Sequence, residues 1–170
     1  ERGGAGSPLA GLEAWYGSRL GFEVGARESA CLQGMLGDVF GYYLVQVGVT
    51  DSFREALAAS RIRHRVLLPC EQPTEQPGLS VVGDPTRLPL ASDSVDAVLL
   101  PHTLDFVPDP RQVLREVERV LIPEGRVFVL GFNALSTWGL VRLLHPRGRR
   151  IPWCGRFLTP YRAEDWLSLL

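Results

Sequence analysis

The 170-residue sequence predicts an α/β domain, a mostly parallel sheet covered by helices on both faces. Three observations carry this expectation. Short β-rich apolar runs, such as YYLVQVG from Tyr42 and VDAVLL from Val95, have the composition of strands buried on both sides. Between them lie segments whose apolar residues recur at helical spacing, and strands alternating with helices at such distances build parallel sheets. Hydrophobic residues make up 45% of the chain, enough for the core of one ordinary domain without metal or disulfide staples.

Leu9, Leu12, Trp15, Tyr16 and Leu20, then Ala26, Ala30, Cys31, Leu32, Met35 and Leu36, are interleaved with charges and glycines and fit one or two amphipathic helices closed by Gly37 or Gly41. Tyr42–Gly48 is the first strand. Ser52 and Glu55 have the spacing of a capping box, which satisfies the free N–H groups of a helix's first turn. His64–Leu68 (HRVLL) and Leu79–Val82 (LSVV) are the second and third strand candidates. The segment between them carries Pro69, Pro73 and Pro77 and is too short for a crossover helix. Val95–Leu100 is the fourth strand. Asp109 offers an N-cap and Pro110 a first-turn proline to a helix running to Leu121, with Val113, Leu114, Val117 and Val120 on one face. The turn Ile122–Gly125 launches a fifth strand, Arg126–Leu130. Ser136–Leu144 reads as a helix, residues 145–158 as an Arg-rich loop, and Thr159 with Pro160 caps a last helix containing Trp166, Leu167 and Leu170. The division expected is an N-terminal helical extension, residues 1–40, and a single α/β unit, residues 41–170.

Charge argues against a bulk electrostatic function. The 18 basic and 19 acidic residues leave a net charge of -1, so a nucleic acid or anionic membrane would need a local patch. Every basic residue is Arg, which excludes lysine chemistry. No apolar run approaches the roughly 18 residues of a membrane helix. Glu1 stands where an initiating Met would, with no apolar signal region after it, so a processed end and a cytoplasmic location are expected. Cys31, Cys70 and Cys154 are odd in number, lie far apart and form no CxxC pair, and His64, His102 and His145 are scattered among them, so neither a disulfide framework nor a metal site is expected; buried free thiols are.

Residues 83–133 carry linked motifs. An acidic residue is followed at a distance of four by Leu-Pro (Asp84, Leu88, Pro89), and an S-x-D-x-V step (Ser94, Asp96, Val98) enters the fourth strand. An H-x-L-D segment follows (His102, Leu104, Asp105), then a DP-x-x-x-L-x-E-x-x-R-V-L helix closed by a PxG turn, Asp109–Gly125. In this order they resemble the second half of class I S-adenosylmethionine (SAM) dependent methyltransferases of the type 11 group, in a divergent bacterial branch. The resemblance implies a Rossmann-like fold, SAM as cofactor and a small-molecule methyl acceptor. It places cofactor contacts at Gln46, Gly48 and Val49 around the end of the first strand, at Glu71 after the second, at Asp84 and Pro85 after the third, and at Pro101 ending the fourth. The first half departs from the family pattern. Only Gly48 remains of the glycine-rich loop, and Glu71 is the nearest counterpart of the ribose-binding acid. The family's closing pair of antiparallel strands is not in this chain. A non-catalytic methyltransferase-like module that has lost SAM is therefore the alternative.

Individual residues keep two readings. His102, at the end of the fourth strand, faces the crevice where such sheets hold ligands and fits a general base, although a lone histidine is more often a hydrogen-bonded structural residue than a catalyst. Asp84 fits an adenine contact or the turn that Gly-Asp-Pro favours. Asp105, Asp109 and Glu118 fit helix caps. Arg142, Arg147, Arg149, Arg150 and Arg156, with Trp153 and Phe157, fit either an RNA or anionic-ligand contact or a solvated loop.

Overall fold

Four parallel strands in the order β2-β1-β3-β4 organise the computed structural model, which describes residues 8–49, 51–70, 82–144 and 151–168. The strands are β1 (Tyr43–Val47), β2 (His64–Leu68), β3 (Val95–Pro101) and β4 (Leu121–Leu130). Helices α1 (Pro8–Tyr16) and α2 (Arg19–Leu36) precede the sheet, and α3 (Arg54–Ala58) joins β1 to β2. Helices α4 (Thr103–Phe106) and α5 (Pro110–Val120) join β3 to β4, and α6 (Thr137–Leu144) and α7 (Pro160–Leu167) follow. The chain steps outward from β1 in one direction to β2 and in the other to β3, so the order reverses between β1 and β3.

Alternation along each strand sorts the core into two layers. Leu44, Ala97 and Leu99 point to a face shared with Leu12, Leu32 and Leu36 of α1 and α2 and with Phe53. Val45, Val47, Val98 and Leu100 point to the other, packed on Val113, Val117 and Val120 of α5. Each such Val, Leu or Phe side chain, fully buried, stabilises the fold by about 1.5–3 kcal/mol. Helix α5 begins as the sequence implies. Asp109 Oδ1 accepts a hydrogen bond from Gln112 N–H at 3.1 Å, with Pro110 in the first turn. The opposite face of α5 pins the neighbouring loop. The Arg119 guanidinium donates to the Leu88 and Leu90 carbonyls at 3.0 and 2.9 Å, and Glu116 accepts from Leu88 N–H at 3.0 Å.

Some expectations change. The N-terminal apolar segment is two helices because Ser18 caps a new start, its hydroxyl accepting from Gly21 N–H at 3.1 Å. The Ser52–Glu55 capping box does not form: Asp51–Phe53 is a 3-10 turn, and Phe53 occupies the cap of α3 with no side-chain hydrogen bond. The acceptor comes instead from α1, as shown below. The Ile122–Gly125 turn lies inside β4, where the register shifts and Glu124 adopts φ 67°. Val82 is exposed and outside any strand, while residues 79–81 of the third strand candidate lie outside the described residues. Cys31 and Cys154 are exposed and Cys70 is half-buried; none of the three is in a disulfide, and they are not the buried thiols expected. Among the described residues no helix is long and apolar enough to cross a membrane.

Candidate functional site at the carboxyl edge of β1 and β3

Sheets of this kind hold ligands outside the carboxyl ends of their strands, where the strand order reverses. Here that point lies between the ends of β1 and β3. Gly48 follows β1 with φ 106°, a conformation that L side chains avoid, and a Cβ there would lie 2.6 Å from Thr103 Oγ1. Thr103 Oγ1 donates to the Val47 carbonyl at 2.6 Å, and Gly48 N–H donates to the Leu68 carbonyl at 3.0 Å. The end of β1 is thereby tied to both neighbouring strands. Gln46 is buried beside it, its amide donating to the Val49 carbonyl.

After Pro101 the chain turns sharply. His102 adopts φ 55°, its backbone N–H donates to the Leu130 carbonyl at 2.9 Å, and its ring is fully buried. Both ring nitrogens meet carboxylates: Nδ1 lies 3.0 Å from Asp105 Oδ2, and Nε2 lies 3.1 Å from Glu28 Oε1 on α2. The second Glu28 oxygen accepts from the Tyr16 hydroxyl at 2.7 Å, and Asp105 Oδ2 also accepts from Phe132 N–H at 2.9 Å. An imidazolium, with hydrogen on both nitrogens, satisfies both carboxylates at once, whereas a neutral ring would need one carboxyl to be protonated. Burial alone depresses the His102 pKa, but the hydrogen bonds and charges of Asp105 and Glu28 outweigh it and raise it to about 9. Burial raises the Asp105 carboxyl above its ordinary range, overriding the opposing bonds from His102 and Phe132. It raises Tyr16 too, with Glu28 adding to the effect, so the phenol remains a donor.

The neighbouring helix start also holds a carboxylate. Glu13 Oε1, from α1, accepts from Asp51 N–H, Ser52 N–H and the Ser52 hydroxyl at 3.0, 3.0 and 3.1 Å. Asp84 stands beside the end of β2, because Gly83 N–H donates to the Pro69 carbonyl at 3.1 Å. Its exposed carboxylate accepts from the Thr86 hydroxyl and Thr86 N–H at 2.7 and 2.8 Å, and these bonds hold it below the usual carboxylate range. Pro85, next to it, is buried.

Of the residues singled out from sequence, the fold brings Gln46, Gly48, Val49, Pro101 and His102 to one edge, with Asp84 and Pro85 at its β2 end. Glu71, Arg147, Arg149 and Arg150 lie outside the described residues. Arg142 sits 4.9 Å over the Phe157 ring, Phe157 is buried on Phe132, and Trp153 stacks on Trp138, so these aromatic faces pack inward. Glu13, Tyr16 and Glu28 carried no local signal of a site role, since a glutamate on an amphipathic helix reads as a solvated face. Asp105, expected as a cap, is instead a buried partner of His102. Among the described residues no three His, Cys, Asp or Glu side chains are grouped to hold a metal ion.

A methyltransferase domain family model matches residues 29–129. The uncharacterized protein YafS of Escherichia coli K12 is 36% identical over 132 residues, which are 78% of this chain and 53% of YafS. The chain thus spans about half the length of that relative. A demethylmenaquinone methyltransferase of Chlamydia muridarum is 34% identical over 81 residues, 46% of this chain and 35% of its own. A SAM-dependent methyltransferase of Thermotoga maritima superposes with a TM-score of 0.59 at 22% identity, covering 81% of this chain and 67% of the other, and shares the fold. With the parallel order, the reversal between β1 and β3 and a family match over more than half of its residues, the chain belongs to the methyltransferase domain family of class I, Rossmann-like fold.

Proposed function

We propose that the protein is a SAM-dependent methyltransferase acting on a small molecule. The observation that carries this reading is the carboxyl edge of β1 and β3. A glycine-only conformation at Gly48 leaves bare backbone at the strand-order reversal, inside a chain of the methyltransferase domain family. When bound, SAM supplies an electrophilic methyl group on a sulfonium, so the protein's task is chiefly to hold and align.

The residues present fit that cofactor. Glu13 serves as a stand-in: its carboxylate already sits on Asp51 N–H, Ser52 N–H and the Ser52 hydroxyl, donors suited to the carboxylate of an amino-acid group. In this reading Gln46, Gly48, Val49 and Pro101 frame the middle of the site, Asp84 and Pro85 hold the adenine end, and Glu71 contributes to the ribose. His102, with both nitrogens engaged and no exposed surface, fits a charged anchor better than a base in contact with substrate. The alignment with a demethylmenaquinone methyltransferase supports a small-molecule acceptor.

Calorimetric titration with SAM and S-adenosylhomocysteine tests the reading. Micromolar binding is expected for the wild type, with at least tenfold loss in Asp84→Ala and no change in its melting temperature. A folded protein that binds neither compound overturns it. One feature favours a second reading, a binding module that has lost SAM. Glu13 and Glu28 already occupy donors at the crevice from within the chain, and restored titration in Glu13→Ala would separate self-occupancy from loss.

A further inference from the structure

A chain of net charge -1 draws an anionic partner only through a local patch, and the fold assembles one at the amino ends of β1 and β2, the edge opposite the cofactor crevice. Residues 40–43 and 61–64 run side by side there: Arg63 N–H donates to the Gly41 carbonyl at 3.3 Å and His64 N–H to the Tyr42 carbonyl at 2.8 Å. Phe40 and Tyr42 are 65% and 66% exposed and Tyr43 45%. These rings head β1, an interior strand flanked by β2 and β3, so their exposure does not come from an unpaired edge of the sheet. Single exposed rings are ordinary, but these are contiguous and combined with cations. The Arg61 guanidinium lies 5.2 Å over the Phe40 ring, and the His64 ring stacks on Tyr43 at 5.2 Å. Arg61, Arg63 and Arg65 are all exposed. Asp38 offsets one of these charges, and Asp96 spends its Oδ2 on Tyr42 and Tyr43 N–H, at 2.9 and 2.8 Å. Those two bonds, with Val39 and Ile62 buried beneath, fix the backbone that carries the rings before any ligand arrives, so binding has little to order.

We infer that this edge binds single-stranded nucleic acid, with bases stacking on Phe40, Tyr42 and Tyr43 and phosphates meeting Arg61 and Arg63. Every base has a flat face, and rings for the bases beside arginines for the backbone hold single strands without reading their sequence. A duplex fits less well, because its grooves are read by a helix or ribbon that projects into them, and here the end of a sheet faces outward. A lipid surface fits less well too, since it would have to take in the Phe40 ring with a guanidinium lying on its face. Strand β1 is five residues long, which at about 3.3 Å per residue sets the patch about 17 Å behind the carboxyl edge. A docked strand therefore leaves the crevice open, and the inference stands apart from the methyltransferase reading.

The test is fluorescence anisotropy of a labelled oligouridylate of about twelve nucleotides, long enough for a site of this kind, with inorganic polyphosphate and phosphatidylglycerol vesicles as competitors. Wild type is expected to bind with a Kd of about 1–100 μM at about 50 mM salt, weakening on a log–log slope of about -2, the value for three arginine–phosphate contacts. The double variant Arg61→Gln/Arg63→Gln should weaken binding at least tenfold with the melting temperature kept. Tyr42→Ala, which retains the backbone N–H held by Asp96, should weaken it at least fivefold, and Tyr42→Phe, which retains the ring, should bind as wild type does. No binding at about 100 μM protein, or binding indifferent to the Arg61 and Arg63 changes, overturns the inference. Polyphosphate that competes as strongly as unlabelled oligouridylate overturns it as well, because charge alone would then account for the interaction. Protein that binds the vesicles and not the oligouridylate reassigns the edge to a lipid surface. Binding abolished by Arg147→Gln/Arg149→Gln/Arg150→Gln and untouched in the first double variant removes it to the other arginine-rich segment.

Discussion

His102 lies where no water reaches it, between Glu28 and Asp105, whose hydrogen bonds and charges favour its protonated form, and this couples folding to pH. A histidine whose folded pKa is raised binds its proton more tightly in the native state. Its contribution is therefore complete below the ordinary value of about 6.5 and is lost as pH rises through about 9. Unfolding free energy is expected to fall across pH 6.5–9 by as much as about 3 kcal/mol, and His102→Gln should flatten that slope. Urea titrations at half-unit intervals measure it; a slope of wild-type size in the variant removes His102 as its source. The charged cluster also shows where residue-level reading from sequence stops. His102 was visible as a candidate because strand ends in doubly wound sheets carry ligand-facing residues. Its partners were not, because Tyr16 and Glu28 approach it from elements more than 70 positions away, and only the packing of α1 and α2 supplies them. Asp105, three residues after His102 in a short helix, has the local grammar of a cap; what makes it something else is its burial beneath Gly131 and Phe132.

Among the elements, those whose pattern depends only on their own residues were legible. Helix α5 has a proline start, an aspartate cap and an unbroken apolar stripe, and its observed span, Pro110–Val120, differs by one residue from that expected. Strands β1 and β2 follow from runs bounded by turn residues. The start of α3 was misread because its acceptor is not local. Ser52 and Glu55 have capping-box spacing, yet the amide groups at 51 and 52 turn to Glu13, which offers a full carboxylate to three donors at once and leaves Glu55 facing outward. Glu13→Ala should therefore cost about 1 kcal/mol, the usual value of a lost N-terminal cap, at unchanged denaturant slope. Ser52→Ala, which keeps both backbone donors satisfied, should cost less. The reverse ranking in urea denaturation would return the cap to Ser52.

At the scale of the whole molecule, the relation between residues 1–40 and the α/β unit of residues 41–170 decides how the site is built. We treat the first segment as a helical extension of the second, but their side chains meet in one apolar cluster. Leu12, Tyr16, Leu32 and Leu36 pack with Leu44, Phe53 and Leu99 beneath the carboxyl edge. Removing them exposes four large side chains' worth of buried surface, on the order of 6–12 kcal/mol at about 1.5–3 kcal/mol each, which matches the entire stability of an ordinary domain. The same cut takes Glu28 from His102 and Glu13 from the start of α3, so an ionised ring and several amide groups would lose their partners together. A protein of residues 41–170 alone is expected to lack a cooperative thermal transition and to bind hydrophobic dyes, while the longer chain melts sharply. If the shorter chain instead melts cooperatively, the extension is a separable cover, and S-adenosylhomocysteine should then bind the shorter chain more tightly than the longer one, because Glu13 no longer competes for the Asp51 and Ser52 donors.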